Sequence, residues 1–250
     1  MFHKMNYNFY TGEVLLIDKP YTWSSFQAVN KLKHAIKNHP SFIIDNASTG
    51  SVTKVNVKIG HAGTLDPLAT GLLIVCTGKK TKTINSLMGM DKEYTGTFCI
   101  GATTPCYDLE KEIDFTFTTE HITENDILNV AKSFVGLQQQ VPPLFSAIQI
   151  NGKRAYEYAR AGVEIELKSR EIEIKEFEIT DAKPQTVSFR IVCSKGTYIR
   201  SIARDFGLAL NSGAHLTKLC RTKIGDFDLK NAVSPQQFSE MMINNSRHLE

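Results

Sequence analysis

The sequence predicts an α+β fold, built on a largely antiparallel mixed sheet flanked by helices. Three observations carry that reading. Apolar residues alternate in two consecutive runs, Ile172, Ile174, Phe177 and Ile179, then Val187, Phe189, Ile191 and Cys193, which marks strands. Elsewhere they recur at helical spacing, as in Phe26, Val29, Leu32 and Ile36. Short strands and helices are mixed without strict alternation, which favours α+β over a parallel doubly wound sheet.

In chain order, Val14 to Ile17 reads as a short apolar strand. Ser24 or Ser25 then caps the helix of Phe26 to Ile36, whose other face carries Lys31, Lys33 and Lys37. Residues 38–57 contain Asn38, Pro40, Asn46, Ser48, Thr49, Gly50 and Ser51 and read as an inserted loop. Tyr94 to Ile100 alternates like a strand, and Glu112 to Thr118 is expected to pair with it. Thr123 and Asp126 form a capping box for a helix to Phe134, closed by Gly136. Asn151-Gly152 is a turn signal after Ile148 to Ile150. A short helix follows over Ala155 to Arg160, then the two alternating strands. A helix from Ile199 to Leu210 and a strand through Leu216 to Ile224 close a domain covering residues 1–230. The last segment, 231–250, reads as a tail with a helix from Pro235 to Ile243.

Composition narrows the class. The 250 residues are 42% hydrophobic and 22% charged, as in an ordinary globular protein. A net charge of +3 permits a local nucleic-acid patch without arguing for one. The five cysteines are odd in number and form no Cys-x-x-Cys pair; Cys76, Cys99 and Cys193 lie in apolar or alternating runs, so buried free thiols and a reducing compartment follow. The N-terminus has no apolar leader, and no run is long enough to span a bilayer, so a cytoplasmic protein is expected. A phosphate-binding reading of Gly71 to Lys79 fails, because six residues separate the glycines and Lys80 follows where Ser or Thr is required. Neither a zinc deaminase signature nor His-Glu-x-x-His nor Gly-x-Ser-x-Gly occurs, so no metal and no cofactor are expected.

The most informative stretch is Gly60-His61-Ala62-Gly63-Thr64-Leu65-Asp66-Pro67-Leu68-Ala69-Thr70-Gly71. Pro67 pushes Asp66 out of the α region, and the glycines allow close backbone approaches. A rigid turn holding one carboxylate is predicted beside the buried strand of Leu72 to Val75. On composition alone Asp66 and Pro67 could equally start a helix, as N-cap and first residue.

This stretch resembles the aspartate segment of the TruB family of tRNA pseudouridine synthases. Five further blocks match in family order, from about residue 12 to residue 227. They are Leu15-Leu16-Ile17-Asp18-Lys19-Pro20 with Ser24-Ser25; Lys92-Glu93-Tyr94; Val141-Pro142-Pro143 with Ser146-Ala147 and Gly152-Lys153-Arg154-Ala155-Tyr156; Cys193-Ser194-Lys195-Gly196-Thr197-Tyr198-Ile199-Arg200-Ser201; and Gly213-Ala214-His215-Leu216 with Leu219 and Arg221-Thr222. One departure is Cys220, where the family often has the first of two arginines.

The resemblance implies the pseudouridine synthase fold, with an RNA-binding thumb loop at about 141–162 and without a complete C-terminal RNA-binding domain. It implies isomerisation of uridine to pseudouridine at position 55 in the T loop of tRNA. The base moves from N1 to C5 on ribose C1′, which requires no metal, nucleotide or redox cofactor. Asp66 is then the essential carboxylate, acting as a nucleophile or by removing a sugar proton. Arg200 pairs with it and keeps it ionised. Tyr94 stacks on the flipped uracil, against the plainer role of a strand residue. Tyr198 lines the pocket and assists proton handling at C5, or is a core tyrosine. His61 contacts RNA or stabilises the turn; Lys19 hydrogen-bonds near the site or is a solvated strand end. Lys153, Arg154 and Arg160 meet phosphates from the thumb, and Arg221 joins the RNA-binding set. A monomer acting on the tRNA T stem-loop is expected, with a non-catalytic tRNA-folding module on the same fold as the rival.

Overall fold

A computed structural model describes residues 7–247 except 10, 39–42, 47–50, 55, 56, 147, 151, 164 and 184. Ala147 and Asn151 of the expected thumb therefore lie outside the described residues. The chain divides into two compact units, one made of residues 1–90 and 221–250, the other of 91–220.

The first unit starts with β1 (Val14–Lys19) and α1 (Ser25–Lys37). Ser24 is the N-cap, and it shares a capping box with Gln27. Ser25, Ala28, Val29, Leu32 and Ile36 form the buried stripe. Phe26, expected on that stripe, is 69% exposed. It lies one residue, about 100° of helix rotation, away from Ser25, and Ala28 takes the core place.

The expected loop at 38–57 contains a hairpin, β2 (Ile43–Asn46) against β3 (Ser51–Lys54), in register Ile43↔Lys54 to Asn46↔Ser51. Its β-branched residues suit extended backbone, a signal the Asn- and Ser-rich composition masks. Residues 47–50, between the two strands, lie outside the described residues.

Strands β4 (Ile59–His61) and β5 (Ala69–Thr77) bracket the Asp66 segment. β1 runs antiparallel to β5, pairing Ile17 with Leu73 and Lys19 with Gly71, and β4 pairs His61 with Val75. Side chains of β5 alternate between two cores. Leu73 and Val75 pack with Leu15, Ile17, Leu32, Ile36, Phe238 and Met242. Leu72, Ile74 and Cys76 pack with Ala62, Leu87 and Ile224. Burial on both faces explains why β5 reads as a continuous apolar run. A 3₁₀ turn (Gly78–Thr83) and α2 (Ile84–Gly89) follow.

The second unit holds β6 (Lys92–Ile100), β7 (Ala102–Thr103), β8 (Phe115–Thr116), α3 (Glu124–Ser133), β9 (Gly136–Gln140), β10 (Gln149–Ile150), β11 (Lys153–Arg154), α4 (Ala155–Arg160), β12 (Arg170–Lys183), β13 (Thr186–Cys193) and α5 (Ile199–Ala209). An antiparallel sheet runs in the order β6, β13, β12, β9. β8, expected beside β6, pairs instead with β7, Ala102↔Thr116 and Thr103↔Phe115. The three-residue step from Ile174 to Phe177 coincides with a register shift between Ile174 and Glu176. That extra residue is a bulge, and it restores the alternation beyond it. The inner face, with α3 and α5, supplies Phe98, Phe134, Phe177, Phe189 and Phe206; the Phe98 and Phe189 rings lie 4.2 Å apart. On the opposite, open face Arg190 pairs with Glu93, Glu176 and Glu178 together.

β14 (Ala214–Ile224) brings the chain back to the first unit, where β15 (Phe227–Asp228) and α6 (Pro235–Arg247) complete it. All five cysteines are free thiols; Cys76 and Cys193 are buried as expected, whereas Cys99 is only half-buried. Among the described residues no helix is long and apolar enough to cross a membrane.

Candidate active site

Asp66 sits in a turn, not at a helix start. Its carbonyl accepts from Ala69 N–H at 3.1 Å, and β5 begins there. Gly63 and Gly71 flank the turn with φ of +100° and +99°, which side chains with a Cβ adopt at a cost. The carboxylate-bearing residue is half-exposed while Leu65 before it is buried.

Every backbone carbonyl from Gly63 to Pro67 has a hydrogen-bond partner, and three buried polar side chains supply four of the five. Arg221, 1% exposed, donates Nη2 to Gly63 O at 3.0 Å and Nη1 to Thr64 O at 3.4 Å, and its Nε reaches Leu72 O at 2.7 Å. Ser25 Oγ donates to Leu65 O at 3.1 Å and accepts from Leu65 N–H at 2.8 Å. Lys19 Nζ donates to Pro67 O at 3.3 Å and also to the carbonyls of Pro20 and Trp23. Asp66 O is the fifth.

This geometry corrects one expectation, for Arg221, and removes the rival reading of Lys19. Arg221 is an internal brace of the aspartate turn, since a guanidinium this enclosed and directed at three carbonyls presents nothing to RNA. Lys19 is not a solvated strand end, being fully buried. Burial pushes its ammonium pKa down to about 8; Asp66 opposes that shift and Arg221 adds to it. His61, on β4 and half-buried, has its pKa lowered by burial first and then by Arg221.

In the second unit, Arg200 lies in the first turn of α5, buried, with Nε 3.5 Å from the Asp108 carboxylate. It also donates to Cys106 O at 3.1 Å and Phe145 O at 2.9 Å. Asp108 was not singled out in the sequence, where it stands in an acidic surface-like stretch. Tyr198 is the N-cap residue of α5. The buried Gln140 side chain brackets its backbone, accepting from Tyr198 N–H at 2.8 Å and donating to Tyr198 O at 3.1 Å. The Arg170 guanidinium lies over the Tyr198 ring at 4.5 Å. Tyr94 is a largely buried residue of β6, opposite Ile191.

Lys153 and Arg154 form β11, exposed, in a two-residue hairpin with β10. Arg160, at the end of α4, lies over the Tyr156 ring at 5.2 Å. The structure thus groups Lys19, Asp66, Arg221 and His61 in one unit, and Arg200, Tyr198, Tyr94 and the thumb cations in the other. Among the described residues no cluster of His, Cys, Asp and Glu could hold a metal ion.

Comparison with known proteins agrees with these motifs. Residues 51–199 match the model of the TruB family pseudouridylate synthase N-terminal domain. Residues 200–250 match that of the tRNA pseudouridylate synthase B C-terminal domain. The chain is 60% identical over 231 residues to tRNA pseudouridine synthase B of Flavobacterium johnsoniae, covering 92% of this chain and 96% of the relative. It is 48% identical over 235 residues to the protein of that name in Phocaeicola vulgatus, covering 94% and 95%. Among solved structures, a chain of a Cbf5-Nop10-Gar1 complex superposes with a TM-score of 0.62 at 28% identity, covering 88% of this chain; the match spans half of that longer chain. A mixed, mainly antiparallel sheet with flanking helices is the pseudouridine synthase fold that these matches share. On the family models and on identity over nearly its whole length, this chain belongs to the TruB family of pseudouridylate synthases.

Proposed function

We propose that the chain isomerises uridine to pseudouridine in tRNA, at position 55 of the T loop. The observation that carries this is the half-exposed Asp66 on a turn whose carbonyls are all bonded, in a chain with the family's motifs along its length. In this reading the C1′–N1 bond of the target breaks and a C1′–C5 bond forms. The C5 proton leaves to solvent and N1 gains one, so atoms and charge balance without a cofactor. Asp66 acts at the sugar, either attacking C1′ or removing a sugar proton to leave a glycal. A turn held this firmly suits either role, because geometry fixed in advance lowers the cost of reaching the transition state.

Arg200 supplies the cation that keeps the carboxylate ionised. Tyr94 stacks on the displaced uracil, and Tyr198 assists proton handling at C5. Lys153, Arg154 and Arg160 bind phosphates from the thumb at 141–162, and His61 contacts the RNA beside the target. The protein works as a monomer in the cytoplasm, where its five thiols stay reduced.

The test is release of tritium from unmodified tRNA labelled at uracil C5. The expected result is release with wild-type protein, lost when the target uridine is replaced by cytidine. Tight tRNA binding with no release would overturn the enzyme reading and favour a folding module.

A further inference from the structure

We propose that Ser25 is a positioning residue for the reaction, acting through the peptide that joins Leu65 to Asp66. This rests on the reading of Asp66 as the reacting carboxylate. Ser25 is the first residue of α1, and its neighbour Ser24 already serves as the N-cap. The Ser25 hydroxyl is therefore free of capping duty, although Ser at a helix start ordinarily has that role. It points away from the helix end and into the interior, with the residue 3% exposed.

There one oxygen satisfies both backbone groups of Leu65, accepting from N–H at 2.8 Å and donating to C=O at 3.1 Å. Paired bonds of this kind reproduce what a neighbouring strand would provide: the bond from Leu65 N–H holds the peptide plane before Leu65, and the bond to Leu65 C=O holds the Leu65–Asp66 peptide plane. That plane sets the direction in which the Asp66 side chain leaves the backbone. Lys19 and Arg221 brace the carbonyls on either side, at Pro67 and at Gly63 and Thr64. Ser25 holds Leu65, the residue bonded directly to Asp66 on its N-terminal side. Its grip comes from the rigid start of a capped helix packed in the core, so the turn inherits the order of α1.

Loss of this hydroxyl displaces the carboxylate without removing it and without touching RNA contacts. Misplacement by a fraction of an ångström to an ångström slows a positioned reaction by about ten- to a hundred-fold. The experiment measures single-turnover tritium release, tRNA affinity and melting temperature for wild type, Ser25→Ala, Ser25→Thr and Ser239→Ala. Ser239 is a control, a buried hydroxyl on α6 that donates to Pro235 O at 2.9 Å.

Ser25→Ala is expected to slow the single-turnover step by about ten- to a hundred-fold with tRNA affinity unchanged. Ser25→Thr, which keeps the hydroxyl, recovers most of the rate, and Ser239→Ala keeps the wild-type rate. If Ser25→Ala fails to fold, Ser25→Cys keeps the volume, weakens both bonds, and is expected to show the same slow step. A Ser25→Ala protein as fast as wild type overturns the proposal. So does a Thr variant as slow as the Ala one, or an equal slowing in Ser239→Ala. A wild-type protein that releases no tritium removes the enzyme reading itself, and the proposal with it, which no result on the variants alone would do.

Discussion

The aspartate turn and the thumb cations are built in opposite ways. Around Asp66, every carbonyl from Gly63 to Pro67 is bonded, and the donors Arg221, Ser25 and Lys19 are buried. Lys153 and Arg154 stand exposed on a two-residue hairpin closed by Gly152 at φ +83°. In the proposed reading, a reacting carboxylate must meet one atom at one angle, which a turn with every carbonyl bonded provides. A phosphate contact is a charge attraction that tolerates slack and can be made by side chains in water. The bonded, buried surroundings lie at the aspartate turn, and the exposed cations lie on the hairpin.

The comparison predicts unequal responses to mutation. The largest is at the reacting group itself. Asp66→Asn should reduce tritium release below detection while tRNA affinity stays close to wild type; measurable turnover would remove Asp66 from its role. Arg221→Leu should cost about 3 kcal/mol of stability, because it strands the carbonyls of Gly63, Thr64 and Leu72 in the interior. Urea unfolding checks this, and a wild-type midpoint would mean that the brace is dispensable. Lys153→Ala with Arg154→Ala should leave stability intact, weaken tRNA binding about ten-fold at moderate salt, and flatten the salt dependence. Binding titrations at several salt concentrations measure this; a salt slope equal to wild type would take the thumb out of the RNA contact.

A further effect concerns pH. Lys19 ionises at about 8 in the folded protein against 10.5 as its ordinary value. Below pH 8 the folded state carries a buried charge, and that penalty is present in full. Between pH 8 and 10.5 the unfolded chain binds a proton that the folded chain does not, so this group makes stability rise with pH. Relative to Lys19→Met, the wild type should therefore gain stability across that window, by at most about 3 kcal/mol. Paired denaturation curves at pH 7.5 and 9.5 test the sign; a constant difference would show that Lys19 is not desolvated.

Much of this was legible in the sequence, and the limits have physical causes. Local signals transferred well. The capping box at Thr123 formed as the sequence implies, Ser24 proved to be the cap where the sequence left Ser24 or Ser25 open, and the alternation in β12 and β13 gave a strand pair. The three-residue step from Ile174 to Phe177, read as plain alternation, proved to be a bulge. Elements that depend on a distant partner were hidden. β9 follows Gly136 with a Leu-Gln-Gln-Gln run that has no apolar alternation, and it forms because β12 offers a free edge. The braces of the turn are hidden for the same reason, since Ser25 and Arg221 reach it across 40 and 158 residues of chain. Sequence resemblance could mark Arg221 as belonging to the site, but only burial separates a residue that braces a loop from one that touches RNA. Asp108 and Gln140 were missed because a lone acid in a polar stretch and a glutamine among glutamines give no pattern to read.

The cluster on the open face of the second unit has a consequence of its own. Arg190 is one cation against three carboxylates, and Glu171 and Glu173 stand exposed along the same long strand, while Asp181 is paired with Lys183 at 3.0 Å. Ion pairs among exposed groups add little to stability. What they leave is an excess of negative charge spread over an open sheet. A polyanion approaching this face meets repulsion that grows as salt is lowered, when every phosphate contact elsewhere becomes stronger.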